Sequence, residues 1–293
     1  MKSSNLILVL AALFIIQSCS IADLRTTQME KAPLSTTDEQ KGRDLLTQAW
    51  KAQGMDQLQT KENYEVVATD HWKGILGGIG KLWPTRTAQL NLKYAVGTFD
   101  SQVSYEGKKG FTAGLQSWRY YELDKNGNVM FKDKADKRVK FGLAAYQYFF
   151  ELPDRLLNAP IVYYAGEETF KDKNYQLVFV SWEKVEPHKE HDQYLLYINP
   201  ESKMIEMAEY TVRENYLPAS GFLHGSIIFD DFRTVEGISI PFKQSIFVNS
   251  PKEKEKKYIH QFNLDSFKFD QFDTKMLYPN KNLEKLGDEK ISR

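Results

Sequence analysis

The sequence predicts a mainly β protein with helices, of the α+β class, built on one long antiparallel sheet that curls around an apolar filling. Three observations carry that expectation. Short segments that alternate polar and apolar residues recur from Gln89 onward, each bounded by turn signals. Strands and helices do not alternate one for one, so a parallel sheet fed by crossover helices is not expected. One long apolar insert, Val139 to Leu157, interrupts the strands. A sheet of many strands must curl, and its concave face needs such a filling.

The first element is a targeting segment. Lys2 precedes an eleven-residue apolar run, Leu6 to Ile16. That run is too short to cross a bilayer and has the form of a secretory signal core. Ile16-Gln17-Ser18-Cys19 follows: an aliphatic residue, a spacer, a small residue and the only cysteine. This is the pattern of a bacterial lipobox. Residues 1–18 are expected to leave as a signal peptide, with Cys19 lipidated at the new N-terminus. Lipid on that sulfur leaves no thiol for disulfides, metals or nucleophilic chemistry. Ser20, where an aspartate would favour the inner membrane, points to the outer membrane and a periplasm-facing anchor. Residues 19–36 read as the lipidated N-terminus and a flexible tether, able to span about 20–25 Å.

Thr37-Asp38-Glu39-Gln40 fits a capping box, with Thr37 at the N-cap and Gln40 three residues on. Leu45, Leu46, Ala49 and Trp50 follow at helical spacing, and Gly54 suits the position just past the helix end. Ten to twelve strands come next. Gln89 to Val96 alternates polar and apolar. Ser117–Leu123 and Val129–Lys132 flank the hairpin turn Asn126-Gly127. Tyr175–Trp182, Gln193–Asn199 and Met204–Arg213 form a meander, and Gly225–Phe232, Ile238–Val248 and Lys257–Phe269 complete the set, with Glu236-Gly237 as a tight turn. The charge-alternating run from Lys252 to Lys257 reads as a solvated hairpin tip. Two stretches break the strand pattern. Val139–Leu157 is helix-like, with Pro153 starting a new turn. Trp72–Pro84 holds four glycines and reads as neither helix nor strand, yet it carries Ile75, Leu76, Ile79, Leu82 and Trp83. An apolar loop of that kind must cover something or meet a membrane.

The motifs Tyr148-Phe149-Phe150-Glu151-Leu152-Pro153, Tyr194 to Tyr210 and Gly237-Ile238-Ser239-Ile240-Pro241 resemble the LolA/LolB-like superfamily of lipoprotein-localisation factors, closest to uncharacterised LolA-like bacterial lipoproteins. The resemblance implies a half-open β-barrel over residues 37–273, lidded or plugged by helices around a cavity for acyl chains, with 274–293 as a tail. It transfers no functional residue position by position.

Composition and motifs narrow the function. The chain carries 39 basic and 39 acidic residues, so no field of one sign recruits nucleic acid. No cofactor motif is present: the glycines of 74–80 lack the partner residues of a phosphate loop. His188 and His191, with Glu183 and Glu186 nearby, lie between two strands, where charged residues are ordinarily solvated; no metal site is expected. No nucleophile motif occurs, and Ser220 near His224 is a turn rather than a triad. Asp70-His71 and Asp230-Asp231 are neighbours on strands, so their side chains point to opposite faces unless a bulge intervenes. The expectation is therefore a non-enzymatic, membrane-anchored lipoprotein that binds a lipid or acylated protein. Ile75, Leu76, Ile79, Leu82 and Trp83 are expected as lid or membrane contact, and Phe141, Leu143, Tyr148 and Phe149 as cavity plug. The alternative is a partner-docking lipoprotein with no small ligand.

Overall fold

The computed structural model describes residues 21–31, 33–105, 111–132, 136–213, 216, 221, 223–252 and 257–283. The signal peptide, Cys19, Ser220 and most of the 252–257 tip lie outside the described residues.

Thirteen strands form a single sheet. They are β1 (Asn63–Trp72), β2 (Thr87–Ala95), β3 (Ser101–Tyr105), β4 (Thr112–Gln116), β5 (Arg119–Leu123), β6 (Val129–Phe131), β7 (Ile161–Phe170), β8 (Lys173–Ser181), β9 (Gln193–Ile198), β10 (Ile205–Tyr210), β11 (Gly225–Val235), β12 (Ile238–Val248) and β13 (His260–Phe269). The spatial order is β6-β5-β4-β3-β2-β1-β13-β12-β11-β10-β9-β8-β7, antiparallel throughout. Two meanders therefore meet where β1 pairs with β13. The curved sheet stays open because its two edges, β6 and β7, do not pair. It is an open barrel, the architecture expected.

The helices are α1 (Thr27–Lys31), α2 (Thr36–Ala52), α3 (Met55–Leu58), α4 (Gly74–Gly80), α5 (Lys137–Phe150) and α6 (Leu152–Leu157). The insert is α5 and α6, with Pro153 in the first turn of α6. It links the edge strands β6 and β7, so it must cross the helix-bearing face of the sheet from one side to the other. Val139, Leu143, Tyr146 and Phe150 of α5 join the core over β1–β4 and β12–β13. Leu152 and Leu156 of α6 join Leu45, Leu46 and Ala49 of α2 over β7–β11. One insert thus seals both halves.

Three expectations are corrected. The capping box of α2 sits two residues earlier: Ser35 Oγ accepts from the Asp38 amide at 3.1 Å, and Asp38 accepts from the Ser35 amide at 3.4 Å. Ser-x-x-Asp makes the same reciprocal bonds, so the alternative start wins. The glycine-rich stretch contains a helix, α4. Its glycines serve close approach: a Cβ on Gly77 would lie 2.5 Å from the Ile259 carbonyl oxygen. The tether, as far as it is described, is packed. Leu24 and Met29 are buried on the opposite face of the sheet with Leu177, Phe179, Tyr197 and Met207. The Leu24 amide donates to Gln193 Oε1 at 2.9 Å, and Thr26 Oγ1 to the Ala165 carbonyl at 2.7 Å. Leu24 and Met29 are too sparse for a period to show, yet they cover strand side chains that water would otherwise reach.

The tail beyond 273 also packs as far as it is described. Leu277 is buried, and the Asn280 amide donates to Gln116 Oε1 at 3.0 Å. Gly54 follows α2 at φ +74, as expected of its C-terminal glycine, and a Cβ there would strike the Gly237 carbonyl at 2.3 Å. Among the described residues no helix is long and apolar enough to cross a membrane.

Candidate functional site

A cavity of ≈ 600 Å³ lies between the sheet and the insert. Alternation along the strands builds its floor. Gln244, Ile246 and Val248 of β12 project to one face, as do His260 and Phe262 of β13, and Ile227 of β11 joins them. Phe141, Ala145 and Phe149 of α5, spaced four apart, form one wall together with Tyr146. Leu76, Ile79 and Gly80 of α4 form the rim, faced by Ile21, Tyr216, Gly221 and Leu223. Most of this lining is aliphatic or aromatic.

Of the nine residues the sequence singled out, Leu76, Ile79, Leu82, Phe141 and Phe149 line the cavity. Ile75 is 81% exposed and points away from it, while Leu76 and Ile79 are each 56% exposed at the rim. Trp83 and Leu143 are buried core. Tyr148 turns to the other half of the fold, stacking on Tyr194 with centroids 5.7 Å apart. Phe149 packs on that same half, with the Tyr210 and Phe229 ring centroids 4.9 and 6.3 Å away, and reaches the cavity as well.

The rim helix is pinned rather than loose. Arg86 donates to the Gly74 carbonyl at 2.6 Å. Arg138 donates to the carbonyls of Ile79 at 3.0 Å and Lys81 at 2.6 Å. The Tyr216 hydroxyl donates to the Gly80 carbonyl. Arg138 and Tyr216 satisfy carbonyls at the C-terminal end that a short helix leaves unpaired, and Arg86 holds the other end.

A polar centre stands in the wall. Asp70 is fully buried. Its Oδ2 accepts from Trp72 Nε1 at 2.8 Å, Trp83 Nε1 at 2.6 Å and the Tyr146 hydroxyl at 3.0 Å. Its Oδ1 pairs with His260 Nε2. Four partners are what a carboxylate needs to stay in an apolar wall, where an unpaired charge costs several kcal/mol. His260 stacks on Trp72 with centroids 4.0 Å apart and planes 5° apart. Burial pushes the Tyr146 hydroxyl well above its ordinary range, and the Asp70 charge adds to that. His71 turns to the outer face, where Nδ1 meets Thr87 Oγ1 at 2.8 Å. Sequence reading missed the centre because its donors are 2, 13, 76 and 190 residues away from Asp70. One signal was available: an aspartate at an inward position of an otherwise apolar strand face.

Two further carboxylates lie outside the lining. His224, at the cavity mouth, meets Glu209 at 3.0 Å, and Tyr197 and Ser250 donate to Glu209 at 2.8 and 3.0 Å. Burial works against its charged form, but His224, Lys252 and Tyr197 outweigh it and hold the Glu209 carboxyl down at about 2. Glu151, between α5 and α6, is sealed in the core. It pairs with Arg155 at 2.6 Å and accepts from Tyr64 and Gln147, both at 3.0 Å.

The sequence profile of DUF6503, a family of unknown function, matches residues 119–217. No curated protein matches significantly. Among solved structures, a DUF1329 family protein from Desulfovibrio piger superposes with a TM-score of 0.51 at 14% identity, covering 83% of this chain and 98% of that one. A LolA superfamily protein from Nitrosomonas europaea gives 0.49 at 11% identity, covering 80% and 96%. The chain shares the fold of that DUF1329 family protein.

Proposed function

We propose that this protein is a lipid-anchored envelope protein that takes a lipid, or the acyl chains of an acylated protein, into the cavity between sheet and insert. The observation that carries this reading is the cavity itself. Its ≈ 600 Å³ falls within the ~300–1,000 Å³ of ligand sites, and its lining is mostly apolar with few polar groups. Each methylene buried there contributes about 0.8 kcal/mol. Phe141, Phe149, Phe262 and Ile246 offer surfaces for a chain, and Leu76 and Ile79 of α4 close over it. Release requires an empty state with its own apolar contacts, which the α4 side chains supply by folding inward.

Lipidation of Cys19 fits the same reading. Ile21 lines the mouth, so residue 19 is at most about 7 Å of extended chain away. A lipid there holds the mouth at the membrane surface, on the periplasmic side of the outer membrane, with Ile75, Leu76 and Ile79 beside it. The exposure of Ile75 also favours a second reading, in which α4 docks an envelope protein.

The test is native mass spectrometry of residues 20–293, expressed in a bacterial periplasm and purified without detergent. A discrete lipid or acyl-peptide adduct supports binding and names the ligand class. A clean protein mass that persists after incubation with envelope lipids overturns it and leaves the docking reading.

A further inference from the structure

The hairpin between β8 and β9 brings Glu183, His188 and His191 together. One ligand atom from each lies within 4.8 Å of the others. A single oxygen, Glu183 Oε2, is 3.0 Å from His191 Nε2 and 3.4 Å from His188 Nε2. Ligands held about 2.1 Å from a tetrahedral ion stand about 3.4 Å apart, so these separations already match the edges of a coordination polyhedron. The two imidazole centroids are 4.9 Å apart.

We propose that Glu183, His188 and His191 form a binding site for a divalent transition-metal ion at the cavity mouth. The hairpin is anchored on both sides of the ligands. Gln193 Nε2 donates to the Val185 carbonyl at 3.0 Å. Asp192 Oδ1 accepts from Thr211 Oγ1 and the Arg213 amide, both at 2.9 Å. Glu183 holds a left-handed backbone at φ +64, which turns its carboxylate back toward the histidines. Two imidazoles and one carboxylate suit zinc, copper or nickel; calcium and magnesium prefer oxygen-only sets. Three protein ligands leave a position open to water or to a ligand group. Lys189, between the two histidines in sequence, lines the cavity, so the ion would fix a hairpin that shapes the mouth.

Binding rearranges one proton. The Glu190 amide donates to His188 Nδ1 at 2.9 Å, so in the neutral ring Nε2 carries the proton and faces Glu183 Oε2 at 3.4 Å. Coordination at Nε2 moves that proton to Nδ1 and frees the exposed Glu190 amide to water. Ligand number is unaffected, and no oxidant or reductant is involved.

The experiment uses full-length chain from envelope expression, in detergent, without a histidine tag and stripped with chelator. Zinc is titrated against a competing chromogenic chelator, with calcium as the control ion. The expected result is one zinc per chain and no competition by calcium. Glu183→Gln, His188→Ala and His191→Ala should each weaken zinc by more than the ~10–100-fold typical of an outer-sphere partner. His71→Ala, at a half-buried histidine on the outer face of β1, should leave it unchanged. X-ray absorption of the zinc form should show two imidazoles. Substoichiometric binding, or binding that survives all three ligand substitutions, overturns the site.

Discussion

Two apolar helices, α4 and α5, border the cavity, and they meet opposite fates. In α5, Val139, Leu143, Tyr146 and Phe150 are buried. In α4, only the glycines Gly77 and Gly80 are buried, and Ile75, Leu76 and Ile79 stand in solvent. The difference lies in what each helix offers its neighbours. α5 packs large side chains on the sheet at helical spacing, whereas α4 presses its backbone on the Ile259 carbonyl and the Trp72 ring through glycine and turns its large side chains outward. Apolar composition alone therefore does not say which helix is core. The small residues show which face is packed.

The largest effect expected belongs to the end of α5. Glu151→Ala removes the buried carboxylate that pairs with Arg155 and accepts from Tyr64 and Gln147, and should destabilise the fold by about 3–5 kcal/mol in urea unfolding. A smaller loss would mean that water reaches the α5–α6 junction. Leu143→Ala, inside α5, should cost about 2–5 kcal/mol through the cavity it leaves. Leu76→Ala in α4 should stay within about 0.5 kcal/mol. Equal losses for the two leucines would erase the contrast between the helices.

Tyr146 sharpens the contrast from the other side, because it belongs to α5 and also lines the cavity. Tyr146→Phe removes one of the donors to Asp70 without changing the ring's stacking on Phe262, whose centroid is 4.4 Å away. The expected cost is about 1–3 kcal/mol, the penalty of a buried acceptor losing a partner. Thermal unfolding with Phe262→Leu as a second variant separates the hydrogen bond from the stacking. No loss on Tyr146→Phe would mean that water takes over the vacated bond.

Most strands and hairpins were legible because their causes are local, although β1, β3, β4 and β7 were given no range and thirteen strands stand where ten to twelve were expected. Asn126-Gly127 turns the chain with Gly127 at φ +81, and Glu236-Gly237 does so at φ +49 and +85. The insert was legible because its apolar run exceeds a strand's length. The long-range arrangement was not. Nothing near β1 announces that β13 will be its partner, and that pairing places His260 beside Trp72. The buried Asp70 centre depends on it, as does the cavity floor. Leu24 and Met29 were read as tether because two apolar residues five apart carry no period. Only the strand face they cover explains them.

The smallest effect on stability should come from α4, and it decides the most about function. Ile79 is 56% exposed, and its carbonyl accepts from Arg138. Ile79→Asp keeps that carbonyl, so unfolding should change by about 0.5 kcal/mol or less. A carboxylate on the rim must be desolvated whenever an acyl chain or a membrane covers α4, and that cost falls on binding alone. Uptake of a fluorescent acyl probe by Ile79→Asp should therefore drop steeply while the melting curve stays in place. Asn at the same position separates charge from shape, because it is polar but uncharged and should fall between aspartate and isoleucine. If all three take up the probe equally at equal stability, α4 is not the lid, and its exposed residues belong to a contact with another protein.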